Sequence, residues 1–213
     1  MVDWLNVIWN PHKAYAEAVK QKDLMPTAVI AVLIVALLAF LGNVLAFSSG
    51  GGIGAGLVIG LIVAILVLVI SFIMAFIYHK VADILLNGKS SYIKMLSIVG
   101  FSGVPGGIGG IILVMALTVG MGMMAGGSAG AIGGLFVLAI GALIGIIFLM
   151  IAFASFIQGL KTMFGADIAT SWSIYLIVVI YMILLMLMVF MGMIMYTVAS
   201  SPLGSLMMGG YGA

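Results

Sequence analysis

Three long stretches of this chain carry no lysine, aspartate or glutamate: residues 26–78, 95–160 and 168–213. A helix needs roughly 20 apolar residues to cross about 30 Å of hydrocarbon. The first stretch is long enough for two such helices joined at Ser48-Ser49-Gly50-Gly51-Gly52, and the second for two joined near Gly126-Gly127-Ser128-Ala129-Gly130. The third holds one, because Ser201-Pro202 follows and the remaining tail is too short to return. The pattern predicts an all-α, polytopic membrane protein with five transmembrane helices at 26–47, 53–78, 95–119, 131–157 and 172–198. Pro26 suits the first turn of a helix, where a missing N–H costs nothing. Pro105 falls inside the third span and is expected to kink it or break it in two.

Charge returns only between these stretches. Lys13, Lys20 and Lys22 precede the first span, Lys80, Lys89 and Lys94 lie between the second and third, and Lys161 lies between the fourth and fifth. Five spans put all seven lysines on one side, which the positive-inside rule assigns to the cytoplasm. The expected layout is N-in/C-out: a cytoplasmic amphipathic segment over 1–25, a membrane domain over 26–198, and a short external tail over 199–213. The N-terminal segment is unlike a signal peptide, so the first span should stay in the mature protein.

Composition narrows the classes. Apolar residues make up 66% of 213 positions and charged residues only 6%, against about a quarter in soluble domains. Such a chain cannot cover a water-facing surface, so lipid is its main solvent. The absence of cysteine removes disulfides and thiolate chemistry. A net charge of +2, with no arginine, gives no basis for nucleic acid binding.

Two segments have enough polar character to be structured parts of the cytoplasmic face. Asn10-Pro11 starts a helix in which Tyr15, Ala18 and Val19 share a face opposite Lys13, Glu17 and Lys20. Such a helix is expected to lie in the headgroup plane with its aromatics as anchors. His79 to Lys94 reads as a helix end, a turn at Asn87-Gly88, and a new helix near Ser90 or Ser91. His79-Lys80 and Asp83, one turn apart, are placed to pair at that helix end, and the histidine reads as interfacial rather than as a ligand or base.

These segments carry a family resemblance. Asn10-Pro11-His12-Lys13-Ala14-Tyr15, then Asp23-Leu24-Met25-Pro26 before the first span, resembles the start of a prokaryotic Yip-domain protein. Tyr78-His79-Lys80-Val81-Ala82-Asp83-Ile84-Leu85-Leu86-Asn87-Gly88-Lys89 is similar to that family's link between spans two and three. Gly100-Phe101-Ser102-Gly103-Val104-Pro105 resembles its Gly-aromatic-x-x-x-Pro motif. The resemblance covers roughly residues 8 to 197 and implies the same five-span, N-inside layout. Eukaryotic members are associated with Rab-type GTPases and vesicle trafficking through long cytosolic N-terminal regions. This chain offers only about 25 residues before lipid begins. For it the resemblance implies a prokaryotic, multi-pass protein of the cell membrane, with Asn10, Pro11, Asp23, Pro26, Asn87, Gly88, Lys89, Gly100, Phe101 and Pro105 as family-motif and interaction positions.

Inside the spans glycine is the commonest signal. Gly52, Gly56 and Gly60 recur every fourth residue, as do Gly103 with Gly107 and Gly141 with Gly145. Small residues at this spacing let helix backbones approach closely. Packing within one bundle is the simpler reading, and self-association the other. Eighteen methionines raise the question of Cu(I), since Met121, Met123, Met124, Met191, Met193, Met195, Met207 and Met208 all map to the outer side. No histidine or cysteine accompanies them, and methionine is an ordinary apolar gap-filler, so no metal or other cofactor is expected.

None of the predicted spans contains a lysine, aspartate or glutamate, which argues against a proton-driven pump. Gly106-Gly107-Ile108-Gly109-Gly110 is followed by no lysine, so it is not a phosphate loop. No nucleophile–base–acid set is visible. The sequence therefore points to a non-enzymatic scaffold that organises membrane or partners through its cytoplasmic face. The bilayer and a membrane-protein partner, or a second copy, are the expected contacts. An accessory subunit of a larger complex and a passive path for a small neutral solute are the rival readings.

Overall fold

The computed structural model describes the backbone of residues 4–126 and 128–199, with side chains described except at 4, 47, 49–51, 128–129 and 184–199. Every regular element among the described residues is helical: α1 (Trp4–Trp9), α2 (Pro11–Val19), α3 (Met25–Leu85), α4 (Tyr92–Met124), α5 (Ser128–Phe164) and α6 (Ile168–Ala199). In hydrocarbon each backbone N–H and C=O must be satisfied within the segment, which leaves helices as the form these apolar runs can take.

Among the described residues, four helical segments are long and apolar enough to cross a membrane: Met25–Ala46, Gly52–Leu85, Tyr92–Met124 and Gly130–Phe164. The chain is therefore polytopic. Many of its large apolar side chains face outward, among them Leu57, Ile62 and Leu66 of α3 and Leu143, Ile147 and Met150 of α5, each about half exposed or more. An apolar surface this extensive is stable against lipid and not against water. Several neutral polar side chains bond back to their own helices: Ser102 Oγ donates to Ile98 O at 2.7 Å, Thr118 Oγ1 to Val114 O at 2.9 Å, and Asn43 Nδ2 to Ala39 O at 2.8 Å.

The first two spans are not joined by the expected loop. Helical structure continues through residues 48–51, and only Gly52 leaves helical dihedrals, at φ 78° and ψ 163°. A residue with a Cβ is strained there, so glycine supplies a one-residue hinge. Gly52 is consequently not a packing glycine: a Cβ built on it meets nothing within 4 Å. Gly56 and Gly60 do face the first arm. A Cβ on Gly60 would lie 2.8 Å from Val44 Cγ2 and 3.0 Å from Phe40 O.

Pro105 does not break its helix either. α4 runs from Tyr92 to Met124 with Pro105 inside it and fully buried. Neighbouring helices enclose that turn. Gly103 and Gly107 abut Val35 and Leu38 of α3, with a built Cβ at 2.8 Å and 3.1 Å from them. Gly141 of α5 would meet Ala116 Cβ, and Gly145 lies against Gly109 O at 3.5 Å, so α4 is clasped between α3 and α5. Met123 and Met124 fill space over Gly133 and Gly134, as packing side chains. Met207 and Met208, like the rest of the tail, and the side chains of Met191, Met193 and Met195 lie outside the described residues.

Candidate functional site at the charged end of the bundle

The N-terminal hairpin folds back onto the bundle. Asn10 caps α2, its Oδ1 accepting from Lys13 N–H at 3.3 Å, and Pro11 takes the first helical position. The expected amphipathic helix forms, but its apolar face does not lie on lipid headgroups. Ala14, Tyr15 and Ala18 are all fully buried against protein. The physical reason is a matched socket. The Tyr15 hydroxyl donates to Ile98 O at 3.4 Å and shares a hydrogen bond with Ser155 Oγ at 3.3 Å. Its ring stacks at 5.3 Å, tilted by 45°, on Phe101. Gly159 makes the room, since a Cβ there would sit 2.8 Å from Tyr15 Cζ. Desolvation by burial, only partly offset by the Ser155 bond, pushes the Tyr15 hydroxyl above its ordinary ionisation range, so it stays neutral. Trp9 and Leu5 are exposed at 75% and 68% on the outer side of the hairpin, whereas Tyr15, one of the expected anchors, is buried inside the bundle.

The resemblance positions fall around this socket. Phe101 is its floor. Gly100 lets α4 touch the first arm of α3, since a Cβ would be 2.6 Å from Ala31 Cβ and 3.2 Å from Val32 N. Asp23 Oδ1 accepts from Met25 N–H at 3.0 Å, one residue before Pro26, and so closes the start of α3.

Asn87 and Gly88 end α3. Both have positive φ, 52° and 78°. Gly88 N–H donates to Asp83 O at 2.8 Å and Asn87 N–H to Ile84 O at 3.5 Å, the paired bonds of a Schellman cap. Beyond the turn, Lys89 is exposed and Ser90 folds back. The Ser90 hydroxyl lies 2.6 Å from His79 Nδ1, 3.1 Å from His79 O and 3.3 Å from Asp83 Oδ1. It therefore ties His79 and Asp83 together where direct pairing was expected. Ser91 occupies the N-cap of α4 in an extended conformation but makes no side-chain cap bond.

Lys94 crosses to the end of α5, donating to Met163 O at 3.1 Å beside the Phe164 ring. A cation there complements the unpaired carbonyls of a helix C-terminus. Asp167 in turn caps α6, accepting from Thr170 N–H at 3.1 Å. Hydrogen bonds from Thr170, the hydroxyl first and then the N–H, hold the Asp167 carboxyl below the usual range. These links gather α2, the end of α3, the start of α4 and the end of α5 at one end, and all seven lysines lie on these elements or beside them.

Sequence reasoning missed Tyr15 as a buried latch, and with it Ser155, Gly159, Ser90 and Lys94. Ser155 and Gly159 are one helical turn apart, a visible signal, but nothing local names the ring that fills the notch. Among the described residues, no group of three His, Asp or Glu side chains is arranged to hold a metal ion.

The sequence model of the Yip1 domain matches residues 5–210, nearly the whole chain. The chain belongs to the Yip1 domain family. No curated protein and no solved structure matches it. The latch, the Schellman turn and the Gly100–Phe101 floor are thus features of a Yip1 domain, and all of them lie at its lysine-bearing end.

Proposed function

We infer that this Yip1-domain protein is a non-catalytic scaffold of a prokaryotic cell membrane that engages a membrane-protein partner through its lysine-bearing end, which faces the cytoplasm. The carrying observation is the Tyr15 latch. It turns an N-terminal segment that could have floated on the membrane into a fixed platform, with Leu5, Trp9 and Lys13 exposed on it. Aromatic and apolar groups on a rigid, charge-rimmed surface are what a protein interface uses as anchors.

α6 serves as the fifth span in this reading. At 32 residues it reaches about 48 Å, more than the hydrocarbon thickness. Five crossings leave every lysine on one side, and the positive-inside rule makes that side cytoplasmic.

The absence of cysteine makes the test direct. Single-cysteine variants Lys89→Cys and Ser205→Cys are exposed to an impermeant thiol reagent on intact cells. Labelling at 205 and not at 89 is expected, and the reverse result overturns the orientation. Extraction in mild detergent should then retain other polypeptides that are lost in a Leu5→Glu/Trp9→Glu variant. A particle that never carries a second polypeptide, or carries it equally with both residues changed, overturns the scaffold reading.

A further inference from the structure

Between the second arm of α3, α4, α5 and α6 lies a cavity of about 290 Å³. Its walls are apolar, with Met74, Phe153 and Phe156 prominent, and it carries four hydroxyls from Ser71, Tyr78, Ser102 and Tyr175. No charged residue lines it. Ile70 and Leu149 stand at its margin and are about half exposed on helices that cross the membrane, so it opens toward hydrocarbon. Small residues create the space: a Cβ on Gly106 would find only Ala152 Cβ, at a relaxed 3.6 Å.

Tyr78 is the informative group. It is only 6% exposed, and its ring packs 4.5 Å from Phe156, which also contacts the Tyr175 ring at 5.5 Å. Among the described residues neither the Tyr78 nor the Tyr175 hydroxyl has a hydrogen-bond partner, and the same holds for Ser71. Ser102 is the exception, because its proton goes to Ile98 O. Unlike the sealed, unpartnered Ser48 Oγ and Ser171 Oγ, the Tyr78 hydroxyl is open to the cavity, and in hydrocarbon no water supplies the acceptor that an enclosed tyrosine usually finds. Lys80, two residues on, sits over the Phe76 ring and is not part of the lining.

We propose that this cavity is a binding site for a neutral lipid with a small, oxygen-bearing head, of the diacylglycerol type. Ester carbonyls accept from the two tyrosine hydroxyls, the free hydroxyl of the head reaches a serine, and an acyl chain leaves past Ile70 and Leu149. A phosphate-bearing head is disfavoured, because an anion buried here would meet no cation. The volume sits at the low end for ligand pockets, which suits a head and the first chain carbons rather than a whole lipid.

Trp172 reports on the site, since its ring lies 4.7 Å from Phe153. The full chain carrying Trp4→Phe and Trp9→Phe, which leaves Trp172 as the one tryptophan, is reconstituted in phosphatidylcholine vesicles with small mole fractions of brominated diacylglycerol. Saturable quenching is expected, beyond that from brominated phosphatidylcholine or phosphatidylglycerol at equal bromine. Tyr78→Phe should shift its midpoint roughly fivefold, the size of one lost neutral hydrogen bond. Gly106→Leu, which fills the cavity without touching a hydroxyl, should remove the selective component. Equal quenching by all three lipids, or a preference for phosphatidylglycerol, overturns the proposal. So does a selective signal that neither variant changes.

Discussion

The two ends of this Yip1 domain are held together by different physics. At the lysine-bearing end, directional contacts between large or polar side chains join four elements: Tyr15 to Ile98 and Ser155, Ser90 to His79 and Asp83, Lys94 to Met163. At the other end, the α3 arms meet at Gly56 and Gly60, and α4 meets α5 through Gly120 and Gly134, each of which approaches the other's backbone carbonyl. No lysine, aspartate or glutamate occurs in that half. Where water is near, polar bonds can specify a geometry. In hydrocarbon, apolar surface gives no preference for protein over lipid, so contact must come from backbones that fit closely. The domain uses whichever source of specificity its local solvent leaves it.

The largest expected effect comes from removing the latch. Tyr15→Ala deletes a fully buried aromatic and leaves Ser155 without its partner, a loss of about 3–5 kcal/mol in the docking of α2. Amide exchange over residues 11–19 should accelerate strongly, while exchange in the two α3 arms stays at its wild-type rate. Equal acceleration at both ends would show that they are one cooperative unit and dissolve the distinction. Alkaline conditions should act in the same direction. The folded Tyr15 hydroxyl ionises above its ordinary value near 10, so the stability it lends is complete below that pH and is lost as pH rises past it.

The opposite end is probed by overpacking. Gly60→Leu drives a side chain into Val44 and the Phe40 backbone, for which a cost of about 1–3 kcal/mol is expected. Unfolding in mixed detergent micelles measures it. Protection over 11–19 should be unchanged, because sites this far apart without shared partners contribute independently. If Gly60→Leu instead frees α2, the close approach of the α3 arms is transmitted to the latch.

How much of this could be read from sequence follows the same division. The uncharged stretches gave the helices in lipid, because the exclusion of charge from hydrocarbon is a one-dimensional rule. The Asn87-Gly88 turn and the Asn10-Pro11 start were legible because positive φ and capping are local demands. Tyr15 was misread as a headgroup anchor because amphipathicity reveals a buried face and not what buries it. Gly52 was grouped with Gly56 and Gly60 because spacing cannot distinguish a contact from a hinge, which only its φ reveals. Pro105 was expected to kink or break its span on local grounds; α4 runs on through it, and its enclosure by α3 and α5 is a tertiary fact.

The finest discriminator between the two ends is pH. Asp167 caps the first turn of α6, and its folded carboxyl titrates below the unfolded value through bonds from Thr170. A depressed carboxyl contributes stability above the unfolded value, near 3.9, and loses it as pH falls through the folded one. Asp167→Asn keeps an oxygen that can accept from Thr170 N–H but carries no charge to the helix N-terminus. Thermal unfolding in detergent between pH 7 and pH 3 should show a small wild-type advantage that narrows below about pH 4. The penalty of Gly60→Leu should stay constant over the same range, since close backbone packing has nothing to protonate. A wild-type advantage independent of pH would mean that Asp167 acts through shape alone, and a pH-dependent Gly60→Leu penalty would mean that the charged end reaches across the bilayer.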